Sequence, residues 1–129
     1  MSKVSAESLA RRLAALADSK KAEDVEVLDM RGLVAYTDFL AICTARNERQ
    51  ARAIVDEVRL RVKRELGLLA GGVDGGGDAG WTILDYLDCV LHVFTPEARE
   101  RYQLGDLWRD APRLELELGA GEEPEAASA

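Results

Sequence analysis

The side chains most able to do chemistry in this chain are concentrated between Trp81 and Trp108. This stretch is less than a quarter of the sequence, yet it holds both tryptophans, two of the three tyrosines and the only histidine. Asp85 and Asp88 could bind a divalent metal ion, with His92 as a general base. The same residues are also compatible with a core, with turn carboxylates that accept from backbone amides, or with a surface that binds another macromolecule.

The rest of the sequence argues against catalysis. The two carboxylates flank a predicted turn, and no third carboxylate is identifiable nearby. The glycine-rich stretch 71–80 is predicted to be a flexible loop. It lacks the Lys-Ser/Thr ending of a phosphate loop and leads into a strand, whereas a phosphate loop opens a helix. One histidine and two cysteines inside apolar runs offer neither a zinc site nor a catalytic triad. We therefore expect a protein that is not an enzyme, with no catalytic residue, metal or cofactor, and with Cys43 and Cys89 as buried, reduced thiols.

Length and charge indicate one domain with an acidic end. The chain has 129 residues and a formal net charge of −7, and its five glutamates from Leu114 onward leave the preceding part near −2. We expect a domain over residues 1–113, a disordered acidic tail over 114–129, and little direct contact with nucleic acid. No apolar run approaches a membrane span and no signal peptide is visible, so we expect a cytoplasmic protein that does not bind membranes.

Hydrophobic periodicity predicts the order helix, strand, strand, helix, strand, strand, helix. A long helix from Asn47 to Leu66 separates the second and third strands and permits a crossover, so the sheet should be mixed. The predicted fold class is α/β, an α+β sandwich with a mixed sheet flanked by helices. We interpret the basic face of the long helix as a solvent-exposed surface. The alternative is that this face contacts RNA or phosphate.

The last two strands should form a hairpin with a tight turn. If Asp85 and Asp88 end the turn, Leu84 pairs with Cys89 and Trp81 with His92. One face of the hairpin then has a plain core composition. The other face mixes aromatic, imidazole and carboxylate groups, as recognition surfaces do; its members are Trp81, Ile83, Asp85, Asp88, Val90 and His92.

These residues resemble the ribosomal silencing factor (RsfS, or Iojap) family. The family's core pattern, D-Y-G-D-x-V-V-H-x-F, is similar to Asp85–Phe94 and follows a tryptophan here, Trp81. The helical pattern R-x-x-Y-x-L-E-x-L-W is similar to Arg99–Trp108. Earlier elements of the family resemble Thr37–Leu40 and Arg49–Asp56, so that the resemblance runs from about Ser8 to Asp110.

The resemblance implies a nucleotidyltransferase-like fold without the catalytic motif. It implies binding to the large ribosomal subunit through its protein of the universal L-fourteen family, a block of small-subunit joining, and lower translation when nutrients are short. A homodimer is expected when the protein is free. The residues expected to bind the partner, or to support that surface, are Trp81, Asp85, Tyr86, Asp88, His92, Arg99, Tyr102, Leu104, Leu107 and Trp108.

Two alternatives to the silencing function stay open. The alternatives are an adaptor for large-subunit assembly that does not silence, and a metal-dependent nucleotidyl-transfer enzyme that uses Asp85 and Asp88. The chain departs from the family pattern at three positions: Leu87 stands where the family has glycine, and Gly105 and Asp74 stand where it has glutamate. A leucine held at positive φ would cost about 1–2 kcal/mol.

Overall fold

The structure, a computed structural model, describes residues 5–71, 73–74, 80–103 and 108–118. Within these ranges the chain forms three helices and a five-stranded sheet. In chain order the elements are α1 (Ala6–Ser19), β1 (Glu23–Asp29), β2 (Phe39–Thr44), α2 (Glu48–Leu66), β3 (Val73–Asp74), β4 (Trp81–Asp85), β5 (Cys89–Phe94) and α3 (Pro96–Tyr102).

The sheet has the strand order β1-β2-β5-β4-β3. Strands β2 and β5 pair in parallel, and the other neighbours are antiparallel. Parallel pairing requires a crossover, and α2 lies within it. The predicted α/β class with a mixed sheet is confirmed. The glycine-rich stretch, predicted to be a loop throughout, contains the two-residue strand β3, while Gly72 and residues 75–79 lie outside the described part.

Helices α1 and α2 cover one face of the sheet, which we call the helix face. Ser5 and Asn47 cap the two helices, each side-chain oxygen accepting from a backbone N–H three residues on. Gly67 ends α2 in the left-handed conformation, at φ 71°. A bidentate pair from Arg12 to Glu65, at 2.8 and 2.7 Å, joins the outer sides of the helices. No described helix is long and apolar enough to cross a membrane.

The opposite face of the sheet is covered only in part. We call it the aromatic face, and its central residues are Trp81, Ile83, Val90, His92 and Phe94. Helix α3 and the segment that begins at Trp108 pack against one side of it, while Trp81 and Ile83 are only partly buried. The sequence pattern of the hairpin predicted this division into a core face and a mixed face.

The described part of the predicted acidic tail lies along β1. The N–H of Asp29 donates to the carbonyl of Pro112 at 2.7 Å, and the N–H of Leu114 donates to that of Val27 at 2.9 Å. Leu114 and Leu116 pack against the core of the helix face. The chain to Leu116 is therefore attached to the fold, and residues 119–129 lie outside the described part.

The predicted register of the hairpin is wrong by two residues. Trp81 pairs with Phe94 rather than His92, and Leu84 pairs with Leu91 rather than Cys89. A shift of two residues keeps every side chain on its predicted face, so the two face compositions are retained. The physical reason is burial, since Tyr86, which the prediction left in the turn, packs into the core of the helix face.

The turn is made by Leu87 and Asp88. The N–H of Tyr86 donates to the carbonyl of Cys89 at 3.0 Å, and the N–H of Asp88 donates to the carbonyl of Tyr86 at 2.8 Å. The second bond spans Leu87, as in a γ-turn, and Leu87 has φ 70°. The position does require positive φ, and leucine occupies it with its side chain 72% exposed.

We expect Leu87→Gly to stabilise the protein by about 0.5–1 kcal/mol. Glycine has no Cβ and removes the steric cost of the left-handed backbone conformation. This gain exceeds the extra conformational entropy that glycine loses on folding. Little buried surface is lost, because the leucine side chain is mostly exposed. Urea unfolding followed by circular dichroism measures the change. Leu87→Ala, which keeps the strain, is the matched control; equal effects of the two variants would show that the backbone at this position is not strained.

Candidate functional site

The aromatic face centres on a cluster of four rings. Trp81 stacks on Phe94 with ring centroids 5.2 Å apart, and the ring of Tyr102 lies 4.4 Å from that of Trp81. His92 contributes the fourth ring, 5.9 Å from Trp81. Two neighbouring strands and helix α3 therefore supply one continuous aromatic surface, in which Trp81 and Tyr102 are half-buried and Phe94 is fully buried.

A hydrogen bond fixes the tryptophan in this cluster. Trp81 Nε1 donates to His92 Nδ1 at 3.1 Å, which is a diagonal contact between neighbouring strands. Because Nδ1 accepts, the assigned tautomer of the neutral imidazole carries its proton on Nε2. Burial lowers the pKa of His92 to about 4, since no compensating charge offsets the loss of water. The imidazole is thus neutral at physiological pH and holds the indole.

Arg99 ties α3 to the sheet. Its Nη1 donates to Thr44 Oγ1 at 2.8 Å, and its Nη2 pairs with Glu26 Oε2 at 3.2 Å. Glu26 is also 3.5 Å from Nε of Arg113, in the segment that follows Trp108. The guanidinium of Arg99 is mostly buried by these contacts, and it positions the helix that carries Tyr102.

The carboxylates predicted for the site lie at the other end of the hairpin. Asp85 pairs with Val90, four positions along β4 from Trp81, which corresponds to roughly 13 Å. Asp85 Oδ1 accepts from the N–H of Leu87 at 2.8 Å, so this carboxylate stabilises the turn. Asp88 is exposed at the same turn. The structure therefore does not bring these carboxylates to the ring cluster.

Tyr86 points to the opposite side of the sheet. It is only 6% exposed, it packs in the core of the helix face, and its hydroxyl oxygen has no hydrogen-bond partner among the described residues. Burial raises the pKa of this hydroxyl. Trp108 is half-buried against the aromatic face. Leu104 and Leu107, also predicted for the site, lie outside the described residues, as does Gly105.

The predicted site residues did not include Phe94 or Ile83, which the structure places on the aromatic face. In the predicted register His92 lay opposite Trp81, which left Phe94 beyond the paired residues. In the observed register Phe94 lies opposite Trp81, and Ile83 lies opposite His92. The aromatic ring of Tyr86 was the feature of the sequence that could have indicated the correct register. A turn that places this ring in the core pairs Trp81 with Phe94.

The described residues contain no group of three or more metal-ligating side chains close enough to hold a metal ion. Cys43 and Cys89 are both buried and free, as predicted. Burial raises the pKa of Cys43 to about 12 and also raises that of Cys89. Thiols in this state are poor nucleophiles. Both thiols lie in the core of the helix face.

Comparison with known proteins identifies the family. The family model described as "Ribosomal silencing factor during starvation" matches residues 3–129. The chain belongs to the ribosomal silencing factor family.

Individual members of this family support the assignment. The ribosomal silencing factor RsfS of Halalkalibacterium halodurans is 41% identical over 100 residues, which cover 78% of this chain and 85% of that protein. The RsfS of Bacillus subtilis is 36% identical over 112 residues, covering 87% and 94%. A crystal structure of a Bacillus halodurans protein superposes with a TM-score of 0.68 at 38% identity, covering 81% of this chain and 95% of that one.

In this member of the silencing factor family, acidification should weaken the fold through His92. The folded state disfavours the charged imidazole, so the contribution of His92 is full above its unfolded pKa of about 6.5 and is lost as pH falls toward about 4. The loss at pH 4 should be roughly 3 kcal/mol. Urea unfolding between pH 7 and 4, followed by the fluorescence of the two tryptophans, measures it. His92→Gln should lower stability at pH 7 and flatten this part of the pH dependence; an unchanged profile would contradict the assignment.

Proposed function

We propose that this protein binds the large ribosomal subunit through its protein of the L-fourteen family and blocks joining of the small subunit. Its membership of the ribosomal silencing factor family supports a role on the ribosome. The observation that carries the choice of surface is the half-open aromatic face, where Trp81 is held by a hydrogen bond and two ring contacts, yet is left partly exposed.

Fixed, partly exposed aromatic side chains are effective anchors for a protein partner. They supply a large contact area and lose little conformational entropy on binding, since their rotamers are already set. In this proposal Trp81, Ile83, Tyr102 and Trp108 contact the partner. Their joint position on β4, on α3 and in the segment that begins at Trp108 gives a continuous surface that a single partner can cover.

The remaining predicted site residues have supporting or peripheral roles in this proposal. His92 orients Trp81, Arg99 orients α3, and Tyr86 packs beneath the hairpin. Asp85 and Asp88 lie at the rim, where carboxylates steer and orient a basic ribosomal protein more than they add affinity. Leu104 and Leu107 stay in the proposed surface by resemblance.

We further propose a regulatory role in the cytoplasm, without catalysis, and a homodimer in the absence of ribosomes. Large apolar side chains exposed near the hairpin turn and the end of α2 offer a surface for self-association. Leu69 is 70% exposed, Leu87 72% and Tyr36 62%. Light scattering of the free protein over a range of concentrations tests the dimer directly.

Sucrose-gradient sedimentation with purified ribosomal subunits tests the main proposal. We expect the protein to travel with the large subunit and to reduce the peak of joined ribosomes at moderate magnesium. Trp81→Ala should weaken large-subunit binding by about 2 kcal/mol, or roughly thirtyfold. Ile83→Asp, which places an unpaired charge on the same surface, should also weaken it.

Leu60→Ala is the control, since Leu60 is 51% exposed on α2, behind the helix face. Melting temperatures of all variants separate lost binding from lost folding. Wild-type protein that stays at the top of the gradient would refute ribosome binding. Binding with an undiminished peak of joined ribosomes would favour the assembly adaptor instead.

A further inference from the structure

The turn between β4 and β5 carries an exposed leucine that packs in neither core. Leu87 is 72% exposed, the largest exposed fraction among the large apolar side chains that the structure describes. Its backbone has φ 70°, and the other described non-glycine residues at positive φ, which are Lys21, Asp24 and Gln103, are all polar. Leu87 therefore combines two unfavourable features of the folded state, a hydrated apolar side chain and a left-handed backbone conformation.

The backbone around this leucine is held in place by hydrogen bonds. The N–H of Leu87 donates to Asp85 Oδ1 at 2.8 Å. The carbonyl of the next residue, Asp88, accepts from the N–H of Phe39 at 3.1 Å and so joins the turn to β2. The ring of Tyr86 is buried in the core of the helix face. A side chain on such a turn needs little ordering when it binds a partner, and strained conformations that the surroundings hold in place cluster at functional sites.

Leu87 lies at one end of the surface that is proposed to dock on the ribosomal protein. Trp81 and Ile83 lie on the aromatic face of β4, and the turn follows directly after this strand. Six positions separate Trp81 from Leu87, which is a distance of at most about 20 Å. A protein interface of standard size covers about 800 Å² on each partner, and a circular patch of that area is roughly 30 Å across. A partner seated on Trp81 and Ile83 is therefore large enough to reach the turn.

The charges at the turn indicate the chemistry of the partner. The leucine lies between two carboxylates, those of the partly exposed Asp85 and the exposed Asp88, and residues 84–90 contain no lysine or arginine. Arg31, shortly before β2, is already paired with Asp29 at 2.7 Å. Two copies of the chain that met at this turn would bring like charges together, which is unfavourable. A basic surface with an apolar depression is complementary to the turn.

We propose that Leu87 is a specificity-determining contact with the ribosomal protein, and that its side chain inserts into an apolar depression edged by basic side chains. This inference rests on the proposed function and extends the docking surface past Ile83 to the hairpin turn. The leucine lowers the stability of the free protein and raises the stability of the complex. A partner surface that lacks the depression loses this contact, so Leu87 distinguishes among related partners.

Leu87→Gly separates binding from folding, because its two expected effects have opposite signs. Pelleting with purified large ribosomal subunits over a range of protein concentrations measures the affinity, and urea unfolding measures the stability. We expect Leu87→Gly to be more stable than the wild type and yet to bind the large subunit about tenfold more weakly, since the complex loses one buried leucine side chain. A purely structural role would not lower the affinity while the stability rises.

Two further substitutions at the same position are the matched variants. Leu87→Ala keeps the strain and removes most of the side chain, so it should bind as weakly as Leu87→Gly without the gain in stability. Leu87→Met keeps the apolar volume and should recover most of the affinity. Asp88→Lys should weaken binding more at low salt than at high salt, because it places a positive charge against a basic partner. Leu60→Ala, behind the helix face, is the control for loss of an exposed leucine elsewhere.

The inference is wrong if Leu87→Gly binds the large subunit as tightly as the wild type, or if Leu60→Ala causes an equal loss. Unchanged subunit binding together with a loss of dimer in light scattering would mean that a second copy of the chain covers the leucine. Asp88→Lys that binds like the wild type would exclude a basic partner at the turn. Wild-type protein that fails to bind would refute the proposed function and this inference with it, whereas wild-type binding that Leu87→Gly leaves intact would refute this inference alone.

Discussion

The parallel pairing of β2 with β5 is the constraint on which the rest of the structure depends. All six residues of each strand are paired and buried. Two such strands cannot be joined by a short turn, so the chain must leave the sheet and return. Helix α2 makes this excursion on one side and lies with α1 over the helix face. The aromatic face is left to the shorter elements that follow β5.

The difference in cover between the two faces of the sheet explains why the aromatic face is only partly buried. Helix α3 has only seven residues and covers one end of it, with Arg99 as the tether to Thr44 and Glu26. The strands beneath are apolar enough to bury His92, which therefore stays neutral and accepts a hydrogen bond from Trp81. The surface is rigid because its rings are fixed from below, and it is partly exposed because α3 and the segment that begins at Trp108 pack against one side of it.

The sequence predicted the fold well because its signals are local. The caps at Ser5 and Asn47, the left-handed Gly67 and the unbroken apolar run of β2 each act within a few residues. The site was predicted less completely, because it depends on which residues lie opposite each other. A turn displaced by one position brought Phe94 into the ring cluster. Tyr86 belongs to the same sequence motif as the predicted site residues. Its side chain lies on the helix face, because successive side chains along a strand point to opposite faces.

The segment from Pro112 to Leu118 has a consequence for how the sheet meets other chains. By donating to Val27 and accepting from Asp29, it occupies hydrogen-bonding positions along the outer edge of β1. At the far edge, β3 has two described residues. Unpaired strand edges recruit foreign strands and seed aggregation, and among the residues that the structure describes neither edge strand presents a long row of free backbone groups. Self-association by strand addition is thus disfavoured, and a partner meets the broad side of the sheet with its side chains rather than its backbone.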